Sequence, residues 1–487
     1  MTLGVELLII IPVAAALLSL AMPSGKTAAV VSVACSAAVI LVSLPICIKA
    51  LGGEATEYGL WYVDRLSAVF ILVIGVVGLM SAMYSYGYLS RDVEEKEISS
   101  KDERQYHMMF NLFVAAMLSV CIVSSMGILW ITIEITTLVS AFLVGFYRRN
   151  SALEATWKYL MICSVGITLG LVGITLMYAS SSHVLGDDPG ALNWPVLYEA
   201  AAGLDPTLIK MAFVFVIIGF GTKMGLVPMH TWLPDAHSQS PTPVSAMLSA
   251  ALLNCALYAI LRFQMIADVA VPGFASMLMI GFGMLSLAAA AAFILISKDI
   301  KRMLAYSSIE HMGIIAIGFG IGTPLAVFGA LFHIIAHSMT KPLVFFSAGN
   351  VIQGYGTRDM DEVRGLRKTM PFTAFMLGAG TLAIVGLPPF SVFVGEITIL
   401  SGAVSAGMYH VAALTVVFIV LVFAGFTRNI FKMMPGDVAT GAKVPRGLSR
   451  SLPMALLLVI TLLLGLFMPE GVSNALWSIA DWFSGAV

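Results

Sequence analysis

Charge is what this sequence has least of. Only 11% of its 487 residues are Asp, Glu, Lys or Arg, where a soluble domain carries about 25%. A water-exposed surface for a chain of this length cannot be assembled from so few. Cysteine is scarce as well. Cys35, Cys47, Cys121, Cys163 and Cys255 are scattered along apolar stretches, no two at a metal or cluster spacing. That excludes an iron–sulfur centre held by this chain and a disulfide framework. There is no Walker loop and no Gly-x-Gly-x-x-Gly after a strand, which excludes a nucleotide as the local energy source. The first 22 residues lack a basic leader and a small-residue cleavage site, so they read as a retained helix. A net charge of −1 offers nothing to nucleic acid.

What remains is hydrophobic: 59% of residues, with a mean hydropathy of +0.96. A span needs about 20 apolar residues, and about fourteen candidates are present. They cover residues 3–22, 27–49, 64–88, 108–126, 128–147, 157–180, 207–227, 242–265, 272–296, 302–321, 324–350, 371–403, 410–432 and 452–469. A short amphipathic tail, 473–486, is expected at the membrane interface with Trp477 and Trp482 as anchors. The polar stretches 89–107, 181–206 and 434–451 are too short for an independent soluble domain. With the N-terminus outside, the loops after odd-numbered spans and their edges hold 20 of the 26 Lys and Arg residues. The loop 181–206 has Asp187, Asp188, Glu199 and Asp205 and no lysine or arginine. This asymmetry places the basic loops in the cytoplasm. With an even span count, both termini then lie outside.

Four charges fall at expected membrane depth. Glu134 stands in 127–146, otherwise uncharged; Lys223 follows the uncharged run 211–222; Glu396 lies past Pro388-Pro389; Lys341 follows His333 and His337 at intervals of four. The last three therefore share one helix stripe. Each charge near the bilayer centre costs about 2.5–3.5 kcal/mol on insertion scales, and such residues face a cavity or a partner. Burial lowers a lysine's proton affinity and raises a carboxylate's, so a Lys–Glu pair can pass a proton when a neighbouring charge changes. Histidine titrates between them. These residue types predict ion translocation rather than bond chemistry. Lys210, Arg65, Arg262 and Lys298, near span ends, read as snorkelling or structural, and His230 and His237 as structural. A metal site at His333 and His337 is not expected, since no carboxylate or cysteine stands at matching spacing.

Proline interrupts two spans close to a buried charge, at Pro228 after Lys223 and at Pro388-Pro389 before Glu396. Interrupted spans are tolerated where protein or water takes up the freed backbone groups. When they occur in both halves of a transporter, they point to a site between repeats. They are spans 7 and 12, five apart, so spans 4–8 and 9–13 are expected to form two inverted five-helix repeats. This divides the chain into 1–107 (spans 1–3), 108–265 (first repeat), 266–435 (second repeat) and 436–487 (last span and tail). The expected fold class is an all-α polytopic membrane protein.

The run from Gly225 through His237 and on to Ser245 (GLVPMHTWLPDAHSQSPTPVS) resembles the loop after broken helix 7 in antiporter-like subunits of respiratory complex I. Residues 298–308 (KDIKRMLAYSS) and 332–341 (FHIIAHSMTK) resemble the same family, which includes multisubunit Na⁺/H⁺ antiporters and membrane subunits of group 4 nickel–iron hydrogenases. Residues 155–166 and 253–262 look most like the hydrogenase branch, of formate hydrogenlyase type. The likeness extends over roughly residues 60–435. It implies that Glu134 and Lys223 form the input half-channel, His333, His337 and Lys341 the central relay, and Glu396 the outer site. It implies iron–sulfur clusters and a nickel–iron centre in partner subunits and none here. Other membrane subunits and peripheral redox subunits are the implied partners. Asn254 departs from the pattern, standing where one such subunit has a lysine, so the link from Lys223 to His337 would depend on water or Ser249. A stand-alone Na⁺/H⁺ antiporter subunit, or a membrane scaffold with a vestigial path, are the competing expectations.

Overall fold

The computed structural model describes residues 2–186, 188, 190–438 and 441–485 and is almost wholly helical. Asp187 and residue 486 of the expected tail lie outside the described residues. Six long helices come first: α1 (Thr2–Ala21), α2 (Gly25–Leu51), α3 (Arg65–Glu94), α4 (Ser100–Ile122), α5 (Met126–Val144) and α6 (Asn150–Leu185). The short α7 (Trp194–Glu199) leads into α8 (Pro206–Met224), which breaks before α9 (Trp232–Gln239). Next, α10 (Thr242–Met247) and α11 (Leu253–Ala270) run on through a π-helical segment, Leu248–Leu252. Then come α12 (Phe274–Ile296), α13 (Ile300–Ile321), α14 (Pro324–Tyr355), the single turn α15 (Leu366–Thr369), and two half-length helices, α16 (Pro371–Ile384) and α17 (Ser391–Ser405). The chain closes with α18 (Tyr409–Phe431), α19 (Leu448–Leu466) and the amphipathic α20 (Glu470–Phe483). Among the described residues, thirteen helical stretches are long and apolar enough to cross a membrane, and α16 and α17 are shorter apolar helices.

One feature lies outside an all-α expectation. Thr56–Tyr58 and Trp61–Val63 pair as an antiparallel hairpin, closed by Gly59 at φ +57° and Leu60. A two-residue hairpin loop needs positive φ, which glycine supplies without penalty.

Local chemistry explains the helix limits. Asp64, Asp205, Asp299 and Thr323 accept hydrogen bonds from first-turn amides of α3, α8, α13 and α14, and Ser99 with Asp102 forms a capping box on α4. The break after α8 begins at Gly225 (φ +84°) and the break after α16 at Gly386 (φ +68°). In each, Leu follows the glycine and proline stands three residues past it, at Pro228 and Pro389, unable to donate to a helical ladder.

Burial sorts the helices into a core and a rim. The most apolar 18-residue stretches of α10–α11 and of α13 are wholly buried and that of α14 is 94% buried, whereas those of α18 and α19 are 28% buried. The polar residues noted above lie mostly on the inner set. Glycines let neighbouring backbones close up: a Cβ on Gly173 of α6 would stand 2.8 Å from Ala212 O of α8, and one on Gly402 of α17 would stand 2.6 Å from Ala326 Cβ of α14. Arg262 is a buried structural ion pair. Its guanidinium donates to both Asp64 oxygens, at 2.9 and 2.6 Å, and lies 3.9 Å from the centre of the Trp194 ring.

Candidate functional site

The buried polar groups gather in several hydrogen-bonded clusters on the inner helices. At one end Glu134 of α5 is half-buried. Ser164 of α6 donates to its Oε1 at 3.0 Å, while Oε2 is buried without a partner. Lys223, in the last turn of α8 before the break, is fully buried. Its ammonium donates to Thr137 Oγ1 at 2.9 Å and to the Tyr159 hydroxyl. Tyr159 is bonded in turn to Ser140, at 2.7 Å. No salt bridge joins Glu134 and Lys223 among the described residues; Thr137, which accepts from Lys223, lies one helical turn past Glu134 on α5.

The next cluster is uncharged. Ser249, inside the π segment, bonds Ser308 of α13 at 2.7 Å. Asn254 donates to Ser338 of α14 at 2.8 Å and keeps a buried, unpartnered Oδ1. A π segment misaligns the backbone ladder and is frequent at functional sites. Here it carries Ser249 and ends just before Asn254.

Beyond this point titratable groups crowd together. Lys341 donates to Ser307 Oγ, at 2.5 Å, and to Leu304 O, at 2.9 Å. Ser307 precedes Ser308, which joins this lysine to the uncharged middle. His337 has both ring nitrogens buried without partners, and its ring centre is 5.2 Å from that of His311. His311 Nδ1 lies 3.0 Å from His333 Nε2, a hydrogen bond between two imidazoles. Glu396 of α17 is the last of these groups. Its carboxylate occupies the space beside Gly386 where any Cβ would stand, so the αL glycine of the break is also the residue that admits it.

Two of these residues, Glu310 and His311 of α13, escaped the sequence reading. Both are buried. Glu310 is close enough to interact electrostatically with Lys341 and with Glu396. Like Glu134, Glu310 is a charge in the middle of an apolar span, but its helix also opens with Lys301 and Arg302. The structure adds a grouping that sequence spacing does not contain. Ligand atoms of His311, His333 and Glu396 lie within 4.8 Å of one another, the only such cluster among the described residues. Three different helices supply them, so spacing along one helix could not reveal it. His230 packs against Phe293 and Tyr306, away from these clusters.

Comparison with known proteins identifies the chain. Residues 123–422 match the family model described as NADH:quinone oxidoreductase/Mrp antiporter, transmembrane, and residues 60–96 match that of complex I chain 5 N-terminus. The chain belongs to this family and is an ion-translocating, antiporter-like membrane subunit of the hydrogenase type. It is 41% identical to the Hydrogenase-4 component F homolog of Methylacidiphilum infernorum over 73% of this chain and 75% of that one. It is 30% identical to NADH-quinone oxidoreductase subunit N of Desulforudis audaxviator over 86% and 84%. Among solved structures, a chain of the membrane-bound sulfane sulfur reductase, an archaeal respiratory membrane complex, superposes with a TM-score of 0.86 at 25% identity, over 99% of this chain and 97% of that one. These relatives are subunits of multisubunit membrane complexes.

Proposed function

We propose that the chain translocates protons by protonation changes passed along the order Glu134, Lys223, Ser249–Ser308, Lys341, His337, His311, His333, Glu396, with Glu310 as a second carboxylate beside Lys341. The observation that carries this reading is the 3.0 Å contact between His311 and His333. A sodium ion needs a shell of oxygen ligands, and two imidazole nitrogens in direct hydrogen bond leave no place for one; a proton crosses such a contact by exchanging its N–H bond. The reading therefore favours H⁺ over Na⁺ through this half of the chain.

Redox chemistry in partner subunits of a hydrogenase-type or complex I-like assembly, which hold the iron–sulfur and nickel–iron centres, shifts charge near Glu134. Lys223 then reprotonates or releases, and the disturbance passes along the line to Glu396. Glu134 is half-buried on α5, with its carboxylate turned toward Ser164 of α6. The basic loops lie in the cytoplasm, both termini lie outside, and the complex sits in the inner membrane. The matching Gly-Leu-x-Pro breaks at Gly225–Pro228 and Gly386–Pro389, together with the glycine-mediated packing of α6 on α8 and of α14 on α17, support two inverted five-helix repeats around the axis. The repeats take in residues 108–265 and 266–435.

Lys223→Ala and Glu134→Ala should abolish redox-driven proton translocation by the purified complex in proteoliposomes, with normal membrane insertion. Unchanged translocation in both variants would sink the axis and leave the scaffold reading.

A further inference from the structure

A polar cavity of about 190 Å³ opens at the basic-loop end of the bundle, lined by Asp92, Tyr147, Ser240, Lys301, Gln353 and Arg358 among others. None of the groups described above lines it; Ser240 and Lys301 in its wall begin the hydrogen bonds that lead inward. Asp92 is buried in its wall, accepting from Tyr147 at 2.7 Å and from Gln353 at 2.6 Å. Lys301, in the first turn of α13, is 2% exposed. Its ammonium donates to the Ser240 carbonyl and makes no salt bridge among the described residues. Ser240 bonds Ser245 at 2.9 Å, and Ser245 donates to the His237 carbonyl at 3.0 Å.

His237 is the conspicuous residue. It is fully buried, and neither ring nitrogen has a hydrogen-bond partner. The ring lies flat on Phe345, with centres 5.3 Å apart and planes at 17°, and Phe345 is one helical turn past Lys341 on α14. His237 is within electrostatic reach of both Lys301 and Lys341. A buried imidazole with two bare nitrogens costs about 1–3 kcal/mol per unmet group, which a purely structural histidine would not be expected to carry. A leucine would pack on Phe345 without that cost.

We propose that this cavity is a second proton inlet, through which protons pass from the basic-loop face by way of Lys301 and His237 to Lys341, without crossing Glu134 and Lys223. The proposal rests on the proton reading above and divides its labour: the Glu134–Lys223 end drives the cycle, and this inlet supplies the proton that Lys341 takes up. The ammonium of Lys301 gives a proton to one bare nitrogen of His237. The imidazolium then releases its other N–H proton to the Lys341 amine, and Lys301 is reprotonated from the cavity. Each N–H bond broken is matched by one formed, and no electron moves.

The test uses the complete complex in proteoliposomes, with two readouts: redox-driven proton translocation, and passive proton uptake driven by an imposed potassium diffusion potential. His237→Gln should reduce both at least fivefold, and Lys223→Ala should abolish only the driven flux. Lys301→Gln keeps a donor for Ser240 and Lys301→Arg keeps the charge, so a structural anchor survives one or the other. Loss of both fluxes in each of the two variants, in complexes of normal assembly, supports proton transfer. Normal flux in either Lys301 variant, or in His237→Gln, overturns the inlet while leaving the axis intact if Lys223→Ala is still inactive. Normal driven flux in Lys223→Ala would bring down the axis and the inlet with it.

Discussion

Gly395 offers a way to move one imidazole of the axis without deleting it. A Cβ placed there would stand 2.8 Å from His333 Cβ and Nδ1 and 3.0 Å from its Cα, about 0.6 Å inside ordinary van der Waals contact. The obstruction is the root of the side chain and the backbone, so α14 and α17 must part or the ring must turn. The His311–His333 contact, at 3.0 Å, has only about 0.2 Å in hand before it leaves the normal hydrogen-bond range. A displacement of the required size therefore spoils it, whether it stretches or compresses the bond. Loss of one such bond is worth about 0.5–1.5 kcal/mol, or a two- to tenfold slower transfer. Overpacking costs about 1–3 kcal/mol, offset by about 1 kcal/mol of helix propensity gained on replacing glycine, so the fold should survive. Gly402→Ala is the control. Its Cβ would meet Ala326 Cβ at 2.6 Å, an equal insult to the same helix pair but away from any titratable ring. Proton translocation per redox turnover should fall two- to tenfold in Gly395→Ala and stay near the parent value in Gly402→Ala, with similar melting temperatures. Equal losses in the two variants would show that helix spacing in general, and not the imidazole contact, limits transfer.

Lys341→Ala should impair translocation in proteoliposomes far more than His230→Ala, because Lys341 holds the Ser307 end of the uncharged bridge while His230 only packs against Phe293 and Tyr306; equal activities would count against the axis. Arg262→Ala strands Asp64 in the interior, and breaking such a pair costs about 3–5 kcal/mol. A marked fall in melting temperature of the purified complex is expected, with normal flux in whatever remains folded. Lost flux at an unchanged melting temperature would instead place Arg262 in the proton path.

The contrast between Glu134 and Glu310 shows what a sequence of this kind discloses. Glu134, Lys223 and Glu396 each stand alone in apolar surroundings, and the insertion cost of a lone charge makes them visible. Glu310 and His311 carry the same cost, but their span opens with Lys301 and Arg302, and charges at its head hide two more at its centre. The two breaks were legible because glycine and proline act on the backbone locally. The hairpin 56–63 was not, being only three residues a strand. What no linear spacing contains is which ring meets which. His333 and His337 share a stripe, yet the partner that bonds His333 is His311, from the neighbouring helix, and the carboxylate nearest it comes from α17 across the second break. Lys223 likewise meets Thr137 and Tyr159 before any acid. The pattern has a physical sense. A lysine locked in an ion pair with Glu134 would be held charged, whereas one held by hydroxyls can lose its proton without stranding an anion. An axis that must change its protonation on each cycle is better served by neutral partners at its switching points, with carboxylates set one step away.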